Sequence, residues 1–85
     1  MEEQLIGKIT HFFNNINVAV VEITEGELKV GDKIHIKGAT SDFEQEVDSM
    51  QVEHENVQEA KAGQAVGMKT VEPVREDDEV YKIIE

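Results

Sequence analysis

The apolar residues of this chain recur mostly at alternate positions, which is the period of a β-strand and not of a helix. Ile34 and Ile36 alternate with polar neighbours, which predicts a strand with one buried face. The segment 18–23 is apolar on both faces, which is typical of a strand that is central or covered on its second side. The main predicted strands are 5–13, 16–24, 33–37 and 80–84.

The pattern between these strands predicts how they are joined. The alternation changes phase between Val47 and Met50, which predicts a β-bulge at 48–49. The segment 56–62 is too short for an independent helix and is predicted to be a loop. Six or seven short strands at a spacing of about ten residues predict an all-β fold. The expected architecture is a small closed antiparallel barrel that forms one domain over residues 1–85.

The first hairpin turn is predicted at 14–15, because asparagine tolerates the left-handed backbone that a tight turn requires. Phe12 and Phe13 just before it must face opposite sides of a strand. One of them is expected in the core, and the other either stands exposed as an anchor or is covered by the end of the barrel.

The predicted core consists of Ile9, Val18, Val20, Leu28, Ile34, Ile36, Val47, Met50, Val66, Met68, Val80 and Ile83.

Charge and composition narrow the class of function. Eight basic and nineteen acidic residues give a net charge of −11, so bulk non-specific binding of nucleic acid is not expected. The acidic surface either serves solubility or forms a face for a basic partner. The chain has no cysteine and no apolar run near the roughly 20 residues that cross a bilayer, so we expect a soluble cytoplasmic protein without a membrane partner.

No motif for catalysis stands out. His11, His35 and His54 lack metal-ligand spacing and are expected at the surface, with His35 projecting between two lysines. Ser41 and Ser49 lie outside any nucleophile-elbow pattern. No phosphate-binding loop ending in Gly-Lys-Ser/Thr is present, so GTP binding by this chain alone is not expected. The sequence therefore predicts no enzyme activity, no cofactor and no metal.

Glycine-marked motifs resemble domain 2 of the translational GTPases, the family of elongation factor Tu. They are Gly26-Glu-Leu-Lys-Val-Gly31-Asp32, Ser49-Met-Gln51 and Ala62-Gly-Gln-Ala-Val-Gly67. The segments 10–21 and 78–83 are also similar to the barrel at the C-terminus of collagenase-like peptidases. Among these relatives, the chain as a whole most resembles the stand-alone proteins labelled translation-elongation-factor-like.

The resemblance implies a site as well as a fold. In factors that carry charged transfer RNA, this barrel holds the terminal adenosine and its amino acid. Gln51 falls where the family has a glutamate of that pocket, the hairpin at 15–17 matches its glycine-rich edge, and Lys69 falls near its far wall. Phe-Phe-Asn-Asn replaces the glycine and arginine of the family's first hairpin, and this departure implies a pocket that is either filled or reshaped. The candidate binding residues are Phe13, Asn15, Asn17, Gln51 and Lys69.

Two functions follow as expectations. The first is a non-catalytic binding module linked to translation or RNA maturation, which docks a protein, an RNA 3′ end or a ribonucleoprotein. The alternative is a protein–protein adapter that works in trans as the accessory barrel of a collagenase-like peptidase. A lysine and aromatic patch near the first hairpin would favour the RNA function. An exposed apolar patch of several hundred Å² on the barrel wall would favour the adapter.

Overall fold

A computed structural model describes residues 2–39, 41–53 and 55–84. The described residues form ten β-strands and no helix, and therefore no helix that is suited to cross a membrane. The all-β prediction is thus confirmed. The strands are β1 (Glu2–Phe13), β2 (Val18–Ile23), β3 (Glu27–Lys29), β4 (Lys33–Lys37), β5 (Asp42–Glu46), β6 (Met50–Val52), β7 (Glu55–Val57), β8 (Glu59–Lys61), β9 (Ala65–Lys69) and β10 (Glu79–Ile84).

Eight of the strands pair into one antiparallel sheet in the order β5-β4-β10-β1-β2-β9-β6-β7. The remaining two, β3 and β8, pair with each other. Hydrogen-bonded pairing leaves β5 and β7 as the two ends of the large sheet, so the predicted closed barrel is not confirmed. The segment predicted as a loop at 56–62 instead contains most of β7 and all of β8. β7 forms by pairing with β6, which directly precedes it, and β8 forms by pairing with the distant β3.

The predicted bulge at 48–49 is a break between two strands. β5 ends at Glu46 and β6 begins at Met50, and the residues between them lie outside the sheet. Val47 is anchored there by backbone bonds, because its N–H donates to Asp32 at 2.9 Å and its carbonyl accepts from Gly31 at 2.8 Å. Both Val47 and Met50 are buried, so the break restores the inward phase that the pattern required.

The first hairpin turns over four residues, 14–17, and not over the predicted pair 14–15. Asn17 adopts the left-handed backbone, with φ of 54°. The Ile16 N–H donates to the Phe13 carbonyl at 3.2 Å, and the Asn17 carbonyl accepts from the Thr70 N–H at 2.9 Å. The second bond ties the turn to the chain that follows β9.

The core contains most of the residues predicted for it, but the face of β2 that points into the core is the one opposite to the predicted face. Ala19, Val21 and Ile23 are buried, whereas Val18 and Val20 are only half-buried on the outer face. The assignment of Val18 and Val20 to the core is therefore wrong. The ten other predicted core residues are buried.

A side-chain bridge links the end strand β5 to the last residue of β9 and to the chain just after it. The Gln45 side-chain amide donates to the Lys69 carbonyl at 2.9 Å, and its side-chain oxygen accepts from the Val71 N–H at 2.9 Å. One glutamine thus supplies both a donor and an acceptor, as a strand backbone does. It connects β5 to a segment with which it makes no strand pairing.

We expect Gln45→Glu to lower the free energy of unfolding by about 1–3 kcal/mol. The substitution removes the donor and places a carboxylate oxygen against the Lys69 carbonyl. Urea denaturation measures the loss. Gln58→Glu is the matched control, because it adds the same charge at an exposed position. Equal losses in the two variants would mean that added charge, and not the bridge, is responsible.

Candidate functional site

A groove of about 420 Å³ opens on the outer face of β2 and its neighbouring strands. Its apolar lining includes Phe13 at the end of β1, Ile16 in the hairpin turn, Val18 and Val20 on β2, and Ala65 on β9. Successive residues of a strand face opposite sides, so the burial of the alternate β2 residues turns these two valines outward. The groove is therefore built by the face of β2 that the core does not use.

Gly67 is part of the groove lining and contributes no side chain to it. Gly67 is paired with Val20 on one side and with Gln51 on the other. A Cβ atom added to Gly67 would meet only the Val18 side chain, at an ordinary contact distance of 3.7 Å. Space for a side chain therefore exists at this point, and the absent side chain leaves it free for a ligand.

Two polar residues of β6 and the turn after it complete the groove. Gln51 lies on β6, where its side-chain amide donates to the Asn56 side-chain oxygen at 3.2 Å. Glu53 follows the strand with a left-handed backbone, φ 52°. Among the described lining residues, Glu53 is the one with a formal charge. The groove thus combines an apolar floor with an amide and a carboxylate.

The side chains at the hairpin end of the groove are exposed to an unusual degree for their type. Phe13 is 43% exposed and Ile16 is 55% exposed. The His11 ring meets the Phe13 ring edge-on, with 4.3 Å between ring centres. Neighbouring large apolar side chains that face water are typical of a surface that another molecule covers.

The structure brings only part of the predicted site together. Phe13 and Gln51 line the groove, whereas Asn15, Asn17 and Lys69 are not among its described lining. Lys69 is paired with a groove valine on the same sheet, and its carbonyl accepts from Gln45. The binding roles of these five residues stay predictions.

The sequence analysis did not predict most of the groove's apolar lining, and in particular not Ile16, Val18 and Val20. The available signal was Glu22, which shares a strand face with the two valines and is exposed. A charged residue in that phase indicates that the phase faces solvent. The described lining of the groove contains exposed apolar side chains and no lysine or arginine. This composition is closer to the patch expected of an adapter than to the one expected of an RNA-binding module.

His35 lies between carboxylates and not in the lysine environment that its neighbours in the chain suggested. Its Nδ1 is 2.7 Å from a Glu3 side-chain oxygen, and its Nε2 is 2.5 Å from one of Asp42. The side chain is 15% exposed. The hydrogen bond to Asp42 is the main cause that raises the pKa of His35, with Glu3 adding to the effect and burial opposing it. His54 lies outside the described residues.

This arrangement predicts a stability that depends on pH. The folded state raises the pKa of His35. The ion pairs of His35 with its two carboxylates therefore stabilise the fold fully below the ordinary histidine pKa of about 6.5, and this stabilisation is lost as pH rises through the folded-state pKa. We expect His35→Gln to lower the free energy of unfolding by up to about 1 kcal/mol at pH 6, and by less at pH 9. Urea denaturation at the two pH values measures this. His11→Gln is the control, and a pH-independent His35→Gln loss would contradict the assignment.

The sequence matches a known family. The sequence model described as elongation factor Tu domain 2 matches residues 17–80, which is more than half of the chain. The chain therefore belongs to the elongation factor Tu domain 2 family.

Its relatives are peptidases by name. The chain is 42% identical over 81 residues to an uncharacterized protease of Methanocaldococcus jannaschii, covering 94% of the chain and 20% of that protein. It is 34% identical over 82 residues to a collagenase of Porphyromonas gingivalis, covering 95% of the chain and 23% of the collagenase. A collagenase from P. gingivalis strain W83 is 36% identical over 78 residues, with 91% and 19% covered. The chain thus spans about a fifth of the length of these relatives.

Solved structures of one related domain have the same fold. The C-terminal domain of a Geobacillus thermoleovorans protein assigned to the U32 peptidases superposes with a TM-score of 0.88 at 18% identity, covering 95% of this chain and 93% of that one. Its selenomethionine variant gives a TM-score of 0.85, also at 18% identity, with 91% and 96% covered. The domain 2 and collagenase-like resemblances are confirmed. The stand-alone translation-factor label is not confirmed, and the expected link to translation finds no support in these relatives.

Proposed function

We propose that this chain is a non-catalytic accessory domain of the collagenase-like peptidases and that it acts by docking onto the peptidase portion. The observation that carries the proposal is the recurrence of this domain within longer proteins. It is found at 34–42% identity, over 91–95% of its length, in proteins named as a protease or a collagenase. The residues of such a domain support the chemistry of the larger protein through binding.

The groove supports a polypeptide as the partner. Its lining is mainly aliphatic and aromatic, and Phe13 and Ile16 remain exposed in the domain alone. Protein–protein contacts bury apolar surface of this kind at their centre and leave polar groups at the rim. Gln51 and Glu53 supply such polar groups here. A partner that covers the groove would remove the two exposed side chains from water.

A domain exchange tests this function. The segment of the P. gingivalis collagenase that corresponds to this chain is either deleted or replaced by this chain, and collagen cleavage is measured for both proteins and for the parent. We expect the deletion to lose cleavage and the exchanged protein to recover most of it. This chain alone is expected to leave collagen intact.

Two outcomes would overturn the proposal. One is an exchanged protein that folds, as judged by a cooperative thermal transition, yet cleaves collagen no better than the deletion. The other is collagen cleavage by this chain alone. Adding the free chain to the deletion protein also tests action in trans, since recovery would then depend on the concentration of the added chain.

A further inference from the structure

We propose that the groove docks one particular kind of segment from the peptidase portion, namely a segment with a large apolar side chain next to an arginine or lysine. This inference deepens the proposed function and rests on it for the source of the segment. The juxtaposition that points to it is an open apolar floor at Gly67 beside the Glu53 carboxylate on an acidic domain.

The apolar part of the segment follows from the shape of the floor. Gly67 leaves a gap between Val20 and Gln51, and the nearest atom to a side chain placed there is the Val18 methyl group at 3.7 Å. Phe13 forms part of the wall near the hairpin. A gap of this kind accepts one large aliphatic or aromatic side chain, which is how a buried anchor residue is held at a protein interface.

The basic part follows from charge. Glu53 is the charged group among the described lining residues, and the exposed Glu22 lies opposite Ala65 on the same sheet face. The domain carries a net charge of −11, so its field attracts cations and repels phosphates. Lys69 is on this face but is not part of the described lining. Charge complementarity therefore favours a basic peptide over a nucleic-acid end.

The low affinity expected of so small a groove suits a partner in the same protein. Association of separate molecules has a large entropic cost, so one side chain and one ion pair give weak binding. A segment linked to the domain meets it at an effective concentration in the millimolar range. The relatives are about five times as long as this chain, so in them the segment and the groove belong to one polypeptide.

Two substitutions separate the apolar and the charged contributions. Gly67→Val fills the floor, its Cβ atom meets no neighbour closer than the Val18 methyl group at 3.7 Å, and valine suits a strand, so the fold should be kept. Its graded control is Gly67→Ala, which fills less of the same space. Glu53→Gln removes the charge while keeping the shape, and its matched control is Glu55→Gln, an exposed residue that is not among the described lining residues.

The test is a titration of the ¹⁵N-labelled chain followed by amide chemical shifts. The probes are acetyl-Leu-Arg-amide, acetyl-Leu-Glu-amide and acetyl-Ala-Arg-amide. We expect the first to shift the amides of Val20, Gln51 and Gly67 and to bind about threefold or more tightly than the second at low salt, because screening is then weak. Gly67→Val should abolish the shifts, and Glu53→Gln should remove the preference for arginine.

Other occupants are outcomes that would overturn the inference. Adenosine 5′-monophosphate shifting these amides more than acetyl-Leu-Arg-amide would indicate a nucleotide site. Self-association in sedimentation runs, abolished by Gly67→Val, would indicate a second copy of the chain. Equal binding of the arginine and glutamate probes, or no shift at the groove, would also refute it.

The domain exchange keeps this inference separate from the proposed function. If the exchanged collagenase cleaves collagen and the same protein with Gly67→Val cleaves it equally well, the docking groove is wrong and the accessory function stands. If the exchanged protein without further substitution fails although it is folded, the accessory function itself is wrong. We expect Gly67→Val to reduce cleavage to the level of the deletion.

Discussion

Replacing Gly7 with alanine is expected to lower the free energy of unfolding by about 3 kcal/mol or more. Gly7 lies in β1 between Val80 of β10 and Ile23 of β2, and it is buried. An added Cβ atom would overlap the carbonyl oxygen of Glu22, which belongs to the backbone of the paired strand. A backbone atom cannot rotate away as a side chain does, so the β1–β2 pairing must shift. Urea denaturation of purified protein measures the loss.

The matched control is Gly67→Ala, because Gly67 is also a strand glycine. Its added Cβ atom would meet only a valine methyl group at 3.7 Å, which is an ordinary contact. Alanine reduces the freedom of the unfolded chain at an unstrained site, so we expect a stability within about 1 kcal/mol of the parent. Similar losses at the two positions would mean that the close approach of β1 and β2 is not the cause.

The alternation of apolar residues predicted where the main strands lie but not which face of β2 enters the core. Val18 to Val21 is apolar at every position, so both phases fit an inward face equally well. The structure buries Ala19 and Val21 and leaves Val18 and Val20, which share the other phase, half-buried. The exposed Glu22 belongs to that outer phase, and giving it more weight than the apolar residues would have decided the question.

The short strands and the links between them depend on contacts that no local pattern contains. β3 and β8 are three residues each, and they exist as strands because they pair with each other across 30 to 34 positions. The Gln45 bridge joins positions 24 and 26 residues apart. Periodicity describes only neighbours along the chain, so these pairings were outside its reach.

The candidate site also contains some residues that the sequence predicted and some that it did not. Phe13 and Gln51 were predicted, the first from its position before the turn and the second from the family resemblance, and both line the groove. Ile16 and Val20 were not predicted, because one was assigned to a strand and the other to the core. A binding surface made of apolar side chains has the same composition as a core strand. A binding surface and a core strand can be told apart only by whether each strand face is buried in the folded structure.

Truncation of Ile36 to alanine is expected to cost about 2–5 kcal/mol of unfolding free energy, because it leaves a cavity in the core. Ile36 is fully buried on β4, where it is paired with Val80 of β10 and Phe43 of β5. Strands on both sides hold the backbone in place, so the site has little freedom to collapse around the missing atoms. Urea denaturation measures this loss as a lower midpoint at an unchanged m-value.

The control for this cavity is Ile84→Ala on β10, because Ile84 is 40% exposed and loses less contact when it is shortened. We expect its loss to stay below about 1 kcal/mol. A loss at Ile36 as small as that at Ile84 would mean that β4 does not face the core in solution. A large Ile36 loss together with a small Ile84 loss would support the inward phase of β4, on which the outward positions of His35 and its carboxylate partners depend.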